Sequence, residues 1–222
     1  MRLTVFVAIV GLLGSRAVAQ TTTTDVVLIA TNQMPSIAEP AVDKNWSFSA
    51  SAYTYILPDE SDYVQPTFTA DRGSLHLEAR YNYEAPDTGS AWIGYNFSVG
   101  EKVSFELTPM LGTVFGDTTG LAPGYKLTLS WWKLELYTEG EYVFDTDDSS
   151  ESFFYTWSEF TLAPVDWFRF GVVIQRTKLY ETDFDIQRGA LIGFSFKRVD
   201  LTAYFFNPDE DPIVVLGVSV NF

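Results

Sequence analysis

The chain of 222 residues holds one histidine, and the residues around it are the first place to look for chemistry. In LHLEARYNYEA, His76, Glu78, Arg80, Asn82 and Glu84 alternate with Leu75, Leu77, Ala79, Tyr81 and Tyr83. A histidine in polar company could serve a serine hydrolase as its base. No GxSxG element accompanies His76, so no catalytic residue is assigned and a hydrogen bond on the polar face is the expected role. Glu139 and Glu141 could pair as glycosidase carboxylates, but residues two apart on a strand share a face by default. The runs DTDD, DFD and PDED offer oxygen atoms to calcium, yet none has the spacing or the glycine of an EF-hand loop. They read as solvated loops, and no metal and no cofactor are assigned.

Composition narrows the classes further. The chain has no cysteine, which excludes a disulfide scaffold, a thiolate metal site and a cysteine nucleophile. The opening stretch MRLTVFVAIVGLLGSRAVAQ carries Arg2, an apolar run and the small-residue site Ala17, Val18, Ala19. It reads as a secretory signal peptide over 1–19, too short to span a bilayer as a helix. Without Arg2 and Arg16, 12 basic residues face 29 acidic ones, so no nucleic-acid partner is expected. Residues 20–45, rich in Thr and Pro, read as a mostly irregular leader.

Twelve alternating segments follow, at about 46–57, 63–71, 74–84, 90–98, 102–115, 123–132, 134–145, 152–162, 166–178, 186–197, 200–207 and 213–222. Their connections interleave two classes. ADRGS, VGEK, WWKL, APVD and KRVD are short, whereas PDESD, EAPDTGS, GDTTGLAPG, DTDDSSES, YETDFD and NPDED are longer and mostly acidic. An up-and-down barrel with an even number of strands sorts alternate connections to opposite ends. The predicted fold is therefore all-β: an antiparallel up-and-down transmembrane β-barrel over 46–222, of twelve strands, with ten as the alternative count.

The polar face of such strands must point inward, because Arg80 set against lipid at the midplane costs about 2–4 kcal/mol. Aromatic residues gather where the interfaces should lie, with Trp46, Trp131, Trp132, Trp167 and Phe196 at the short-turn end. Tyr55, Tyr63, Tyr125, Phe153 and Tyr180 mark the other end. The closing stretch PIVVLGVSVNF has one wholly apolar face and ends in Phe222. Together these features resemble Gram-negative outer-membrane β-barrel proteins, whose last strand typically ends in Phe after alternating apolar residues. The resemblance implies a small porin-like barrel in the bacterial outer membrane, with long loops extracellular and both termini periplasmic. It also implies Phe222 as part of the signal read by the barrel-assembly machinery.

Twelve tilted strands enclose a backbone diameter of about 24 Å, so the lining decides what passes. By parity the lining includes Glu78, Arg80, Glu106, Lys126, Glu135 and Glu139. Glu141, Tyr155, Trp157, Glu159, Arg169 and Gln175 join them. With the 152–178 hairpin folded about Pro164, Glu159 faces Arg169 and the two are expected to form an ion pair. Small porins of about twelve strands that carry acidic sugars have basic tracks, whereas this lining is rich in carboxylates. The expected function is an outer-membrane channel for passive diffusion of small solutes, with a preference for cations. A closed barrel with a structural or interaction role is the alternative, and an outer-membrane lipid hydrolase built on His76 is the third. Arg176, Lys178 and Arg188 fall on outward parity near the outer rim, where lipopolysaccharide phosphates would meet them; a bulge around Gln175 and Arg176 that turns Arg176 inward is the competing expectation. Outer-membrane lipid and lipopolysaccharide are the expected surroundings.

Overall fold

The computed structural model describes residues 45–58, 61–179, 185–209 and 212–222. The signal peptide and all of the leader but Asn45 lie outside them, as do parts of the loops PDESD, YETDFD and NPDED. The strands are β1 (Ser47–Ile56), β2 (Tyr63–Arg72), β3 (Leu75–Tyr81), β4 (Thr88–Tyr95), β5 (Phe97–Val99) and β6 (Val103–Gly116). They continue with β7 (Gly120–Trp131), β8 (Leu134–Asp145), β9 (Phe153–Val165) and β10 (Phe168–Leu179). The last three are β11 (Asp185–Phe196), β12 (Val199–Phe206) and β13 (Ile213–Asn221). Each pairs antiparallel with its neighbour, and the sheet closes where β13 meets β1.

The barrel has twelve staves, because β4 and β5 are two parts of one. Both pair with β6 in a single unbroken register, Gly94 facing Met110 and Phe97 facing Leu107. Between them the backbone N–H of Asn96 donates to Ser74 O at 2.8 Å, and its side chain turns to Asp71 and Thr108. The polar side chain of Asn96 thus interrupts a ladder that its neighbours continue.

Strand alternation sets the two faces. On β13, Leu216 and Val218 are exposed while Val215 is fully buried. Phe222 and Phe48 exchange both backbone hydrogen bonds at 2.9 Å and stack at 6.0 Å, fastening the last residue to β1. Trp46, Trp131, Trp132, Trp167 and Phe196 all stand exposed at the short-turn end. The second belt differs from expectation. Tyr55 and Phe153 are buried inside the barrel, Tyr63 stacks on Tyr55 at 4.7 Å, and Tyr180 lies outside the described residues. Tyr81, Phe115, Phe144 and Phe205 occupy the outer face there instead, since parity rather than proximity to a loop decides which way a ring points.

Two connections also differ. The expected long loop over GDTTGLAPG shrinks to residues 117–119, because β7 begins at Gly120 and pairs with β6 up to Val114. The 153–179 hairpin turns at Asp166 and Trp167 rather than at Pro164. Proline has no N–H for the ladder, so Ala163 and Pro164 form a bulge opposite Arg169 and shift the register.

Inside, Trp92 lies flat over Gly112, where an added Cβ would sit 2.5 Å from the indole. Gly112→Ala is therefore expected to cost about 1–3 kcal/mol by overpacking. Urea unfolding of the refolded protein checks this; an unchanged midpoint would show that Trp92 is free to move.

Candidate functional site

The lumen divides into a solid polar wall and an open tract. The wall is built from β2, β3, β4, β7 and β8, and its centre is Arg80. The Arg80 Nε donates to Glu78 Oε1 at 2.5 Å and its Nη1 to Glu141 Oε2 at 2.8 Å, with Glu84 Oε1 at 3.7 Å. The guanidinium lies between the rings of Tyr83 and Trp92, 4.2 and 4.6 Å from their centroids. Lys126 donates to Glu78, and Glu139 accepts from Tyr83 at 2.5 Å and Tyr137 at 2.6 Å. Among the ion pairs this wall is the most buried, and five carboxylates share it with two permanent cations. Their attraction offsets desolvation in part because most of these oxygens also accept a hydrogen bond, Glu84 Oε2 and Glu141 Oε1 being the buried exceptions.

His76 extends the wall toward the short turns. Its Nδ1 meets Asp71 Oδ1 at 2.7 Å and its Nε2 meets Glu78 Oε2 at 3.0 Å. Asp71 also accepts from Asn96 at 2.8 Å, and Thr108 donates to Asn96 at 2.6 Å. Both ring nitrogens are thus committed to carboxylates, and no serine hydroxyl is bonded to the imidazole among the described residues. Two aspartates of the DTDD run, Asp145 and Asp148, are engaged likewise. Asp145 accepts from the backbone N–H of Asp147 and Asp148, and Asp148 from Ser150, so these carboxylates cap their own turn.

The remaining lumen holds two chambers. The one nearer the short turns has a volume of about 360 Å³ and is lined by Glu78, Lys126, Glu135, Glu139, Tyr155, Trp157, Glu159 and Arg169, among others. The one nearer the loops has about 480 Å³ and is lined by Tyr63, Glu84, Phe153, Gln175 and Gln187, among others. Tyr55, Gln65, Tyr83 and Tyr155 line both and form the septum between them. Tyr83 meets Tyr155 edge to face at 5.5 Å.

Of the residues expected in the lining, Arg80 and Glu141 face inward but are locked in the wall, and Glu106 is exposed outside both chambers. The expected Glu159–Arg169 ion pair does not form. The turn at Asp166 and Trp167, with a one-residue shift from the bulge, sets Glu159 opposite Val173, where its Oε1 accepts from Trp157 and Tyr204, each at 2.8 Å. Arg169 instead passes over Gly193, donates to Thr202 at 2.6 Å and approaches Asp200 at 3.8 Å. Arg176 stands exposed on the outer face, as does Arg188, its diagonal neighbour across β10 and β11. The register of β10 with both neighbours runs unbroken through Gln175 and Arg176, so no bulge there turns Arg176 inward. Lys178 is in register with Phe154, and its side chain lies outside the described residues.

Sequence parity also misplaced one residue of the site. Tyr83 was expected on the apolar outer face. Asn82 takes a left-handed conformation at φ 55°, ends β3 and turns Tyr83 and Glu84 into the lumen. Asn82 Oδ1 then accepts from the backbone N–H of Asp87 at 2.9 Å, closing the loop on itself. The signal was the asparagine, a residue that tolerates this conformation.

No protein-family model and no curated protein sequence matches the chain. Solved structures do. A KdgM porin superposes with a TM-score of 0.59 at 11% identity, covering 78% of this chain and 99% of its own. A KdgM porin in complex with disordered oligogalacturonate gives 0.60 at 11% identity, with the same coverage. A NanC porin gives 0.53 at 10% identity, covering 78% of this chain and 98% of that one. The fold is that of a small outer-membrane porin. At these identities the likeness concerns the backbone alone, and what a porin-like barrel carries is set by its lining.

Proposed function

We propose that the protein is a bacterial outer-membrane channel for the passive movement of small solutes, with a preference for cations. The observation that carries this is the pair of chambers, about 360 and 480 Å³, placed in succession within one closed barrel and parted by four side chains. An apolar outer surface with exposed tryptophans at one rim supports the membrane setting. The long loops then face outward and both termini lie in the periplasm.

The sign of the preference follows from the lining. In the chamber nearer the short turns, Lys126 is held by Glu78 and Arg169 lies by Asp200, which leaves Glu135 and Glu159 without a cation within 4.0 Å among the described residues. Surplus negative charge in a confined lumen concentrates cations and repels anions. The oligogalacturonate bound by the KdgM porin is a polyanion, a class this lining disfavours. In planar bilayers the purified protein is expected to give discrete current steps, and its reversal potential in a KCl gradient to show cation preference. A silent bilayer would sink the channel, and an anion-selective potential would sink the charge preference alone.

The packed wall and the two clusters around Trp157 and Trp92 favour a second reading, a closed barrel with a structural role. The same bilayer measurement separates the two.

A further inference from the structure

The outer face of the barrel carries charge of one sign. Among the strand residues whose side chains are described, every Asp and Glu falls on inward parity, whereas Arg72, Arg176 and Arg188 fall on outward parity. Arg72 belongs to the short-turn rim and lies over the Trp46 ring at 5.8 Å. Arg176 and Arg188 belong to the loop rim, the first close to the end of β10 at Leu179 and the second close to the start of β11 at Asp185. They are exposed diagonal neighbours, about 7–8 Å apart. Their backbones are fixed. Ile186 and Thr156 flank Arg176 in the ladder, while the N–H of Asn207 donates to Arg188 O at 2.8 Å and the N–H of Arg188 to Asn207 Oδ1 at 3.2 Å. Neither guanidinium has a hydrogen bond or an ion pair among the described residues. Toward the short turns the same face becomes apolar, with Val172, Ile192 and Phe205 exposed. Two cations held at this spacing where the apolar band ends repel each other, and an anion that accepts from both removes the repulsion.

We propose that Arg176 and Arg188 together bind a phosphate group of lipopolysaccharide, whose acyl chains lie along the apolar face beside Val172, Ile192 and Phe205. The guanidinium fork matches phosphate oxygens, and a phosphomonoester brings more negative charge to the pair than the phosphodiester of a glycerophospholipid. The proposal rests on the outward placement of the loops in the reading above, which sets the two arginines in the outer leaflet, and it does not require conduction.

Native mass spectrometry of the purified protein in detergent tests it with three probes: diphosphoryl lipid A, the same lipid stripped of its phosphates, and phosphatidylglycerol. The protein is expected to retain diphosphoryl lipid A over both others. Arg176→Gln and Arg188→Gln should each weaken that retention about fivefold, and the two together about 25-fold. Arg72→Gln, at the opposite rim, should leave it unchanged. Equal retention of lipid A with and without its phosphates overturns the proposal, as does a preference that survives the double variant. Equal retention of phosphatidylglycerol and lipid A overturns lipopolysaccharide as the source of the phosphate. Should the double variant fail to refold, the single variants and the three probes on the parent decide. Orientation is read separately. The chain has no cysteine, so an impermeant maleimide on intact cells expressing Ser150→Cys labels that exposed position only where its loop faces outward. Labelling without a preference for lipid A refutes the site alone, and a preference without labelling refutes the outward loops and, with them, the outer leaflet as the setting.

Discussion

Replacing Tyr155 with alanine is expected to raise the single-channel conductance severalfold. The ring of Tyr155 borders both chambers and meets Tyr83 edge to face at 5.5 Å, so its loss removes a central member of the septum. Tyr155 faces Glu141 across β8 and β9 but takes no part in the ion pairs of the Arg80 wall, which keep their partners. Conduction through a narrow lumen is limited at its tightest constriction, so enlarging either chamber elsewhere has a far smaller effect. Tyr155→Phe retains the ring and should conduct as the parent does. Recordings in planar bilayers at matched salt decide the matter: equal conductance for the alanine and phenylalanine variants would place the constriction elsewhere.

The second large effect falls on stability. Arg80→Met removes the cation that touches Glu78, Glu84 and Glu141, all buried; Glu78 keeps Lys126, but Glu84 and Glu141 lose their cation. Breaking a buried pair by deleting one partner costs about 3–5 kcal/mol. The refolded variant is expected to unfold at markedly lower urea than the parent. Adding Glu141→Gln to Arg80→Met should recover part of that loss, because one orphaned carboxylate is then neutral. A single variant as stable as the parent would mean that the wall relaxes around the missing cation.

Much of this architecture is legible in period-2 alternation and turn chemistry. Strand β8 runs over 134–145, the same span that alternation gives, and β13 seats against β1 as its bare apolar face requires. The inward face of β3, with His76, Glu78 and Arg80, follows from the penalty of placing Arg80 in lipid. Parity fails wherever the backbone departs from extended geometry. Asn82 inverts the facing of Tyr83, and a turn at Asp166 and Trp167 rather than at Pro164 carries Glu159 away from Arg169. A single such residue misplaces every side chain that is counted across it. The septum was illegible for a different reason. It joins Tyr55, Gln65, Tyr83 and Tyr155 from distant parts of the chain, and which side chains meet across a lumen depends on stagger around the whole barrel.

The seam between β1 and β13 has a consequence for how the barrel comes into being. It pairs Ser49 with Asn221 and Ile56 with Val214, contacts between the two ends of the barrel's sequence. Every other stave meets a neighbour only a hairpin away, so eleven of the twelve junctions can form locally as the chain is laid down. The twelfth cannot form until β13 arrives, and until then two open sheet edges offer unpaired N–H and C=O groups to any other strand. Closure of this kind is slow for a free chain, since the entropy of bringing remote segments together precedes the contacts that reward it. The protein therefore has a folding problem concentrated in one line of hydrogen bonds, and shielding β1 until β13 docks is what it most needs from its surroundings.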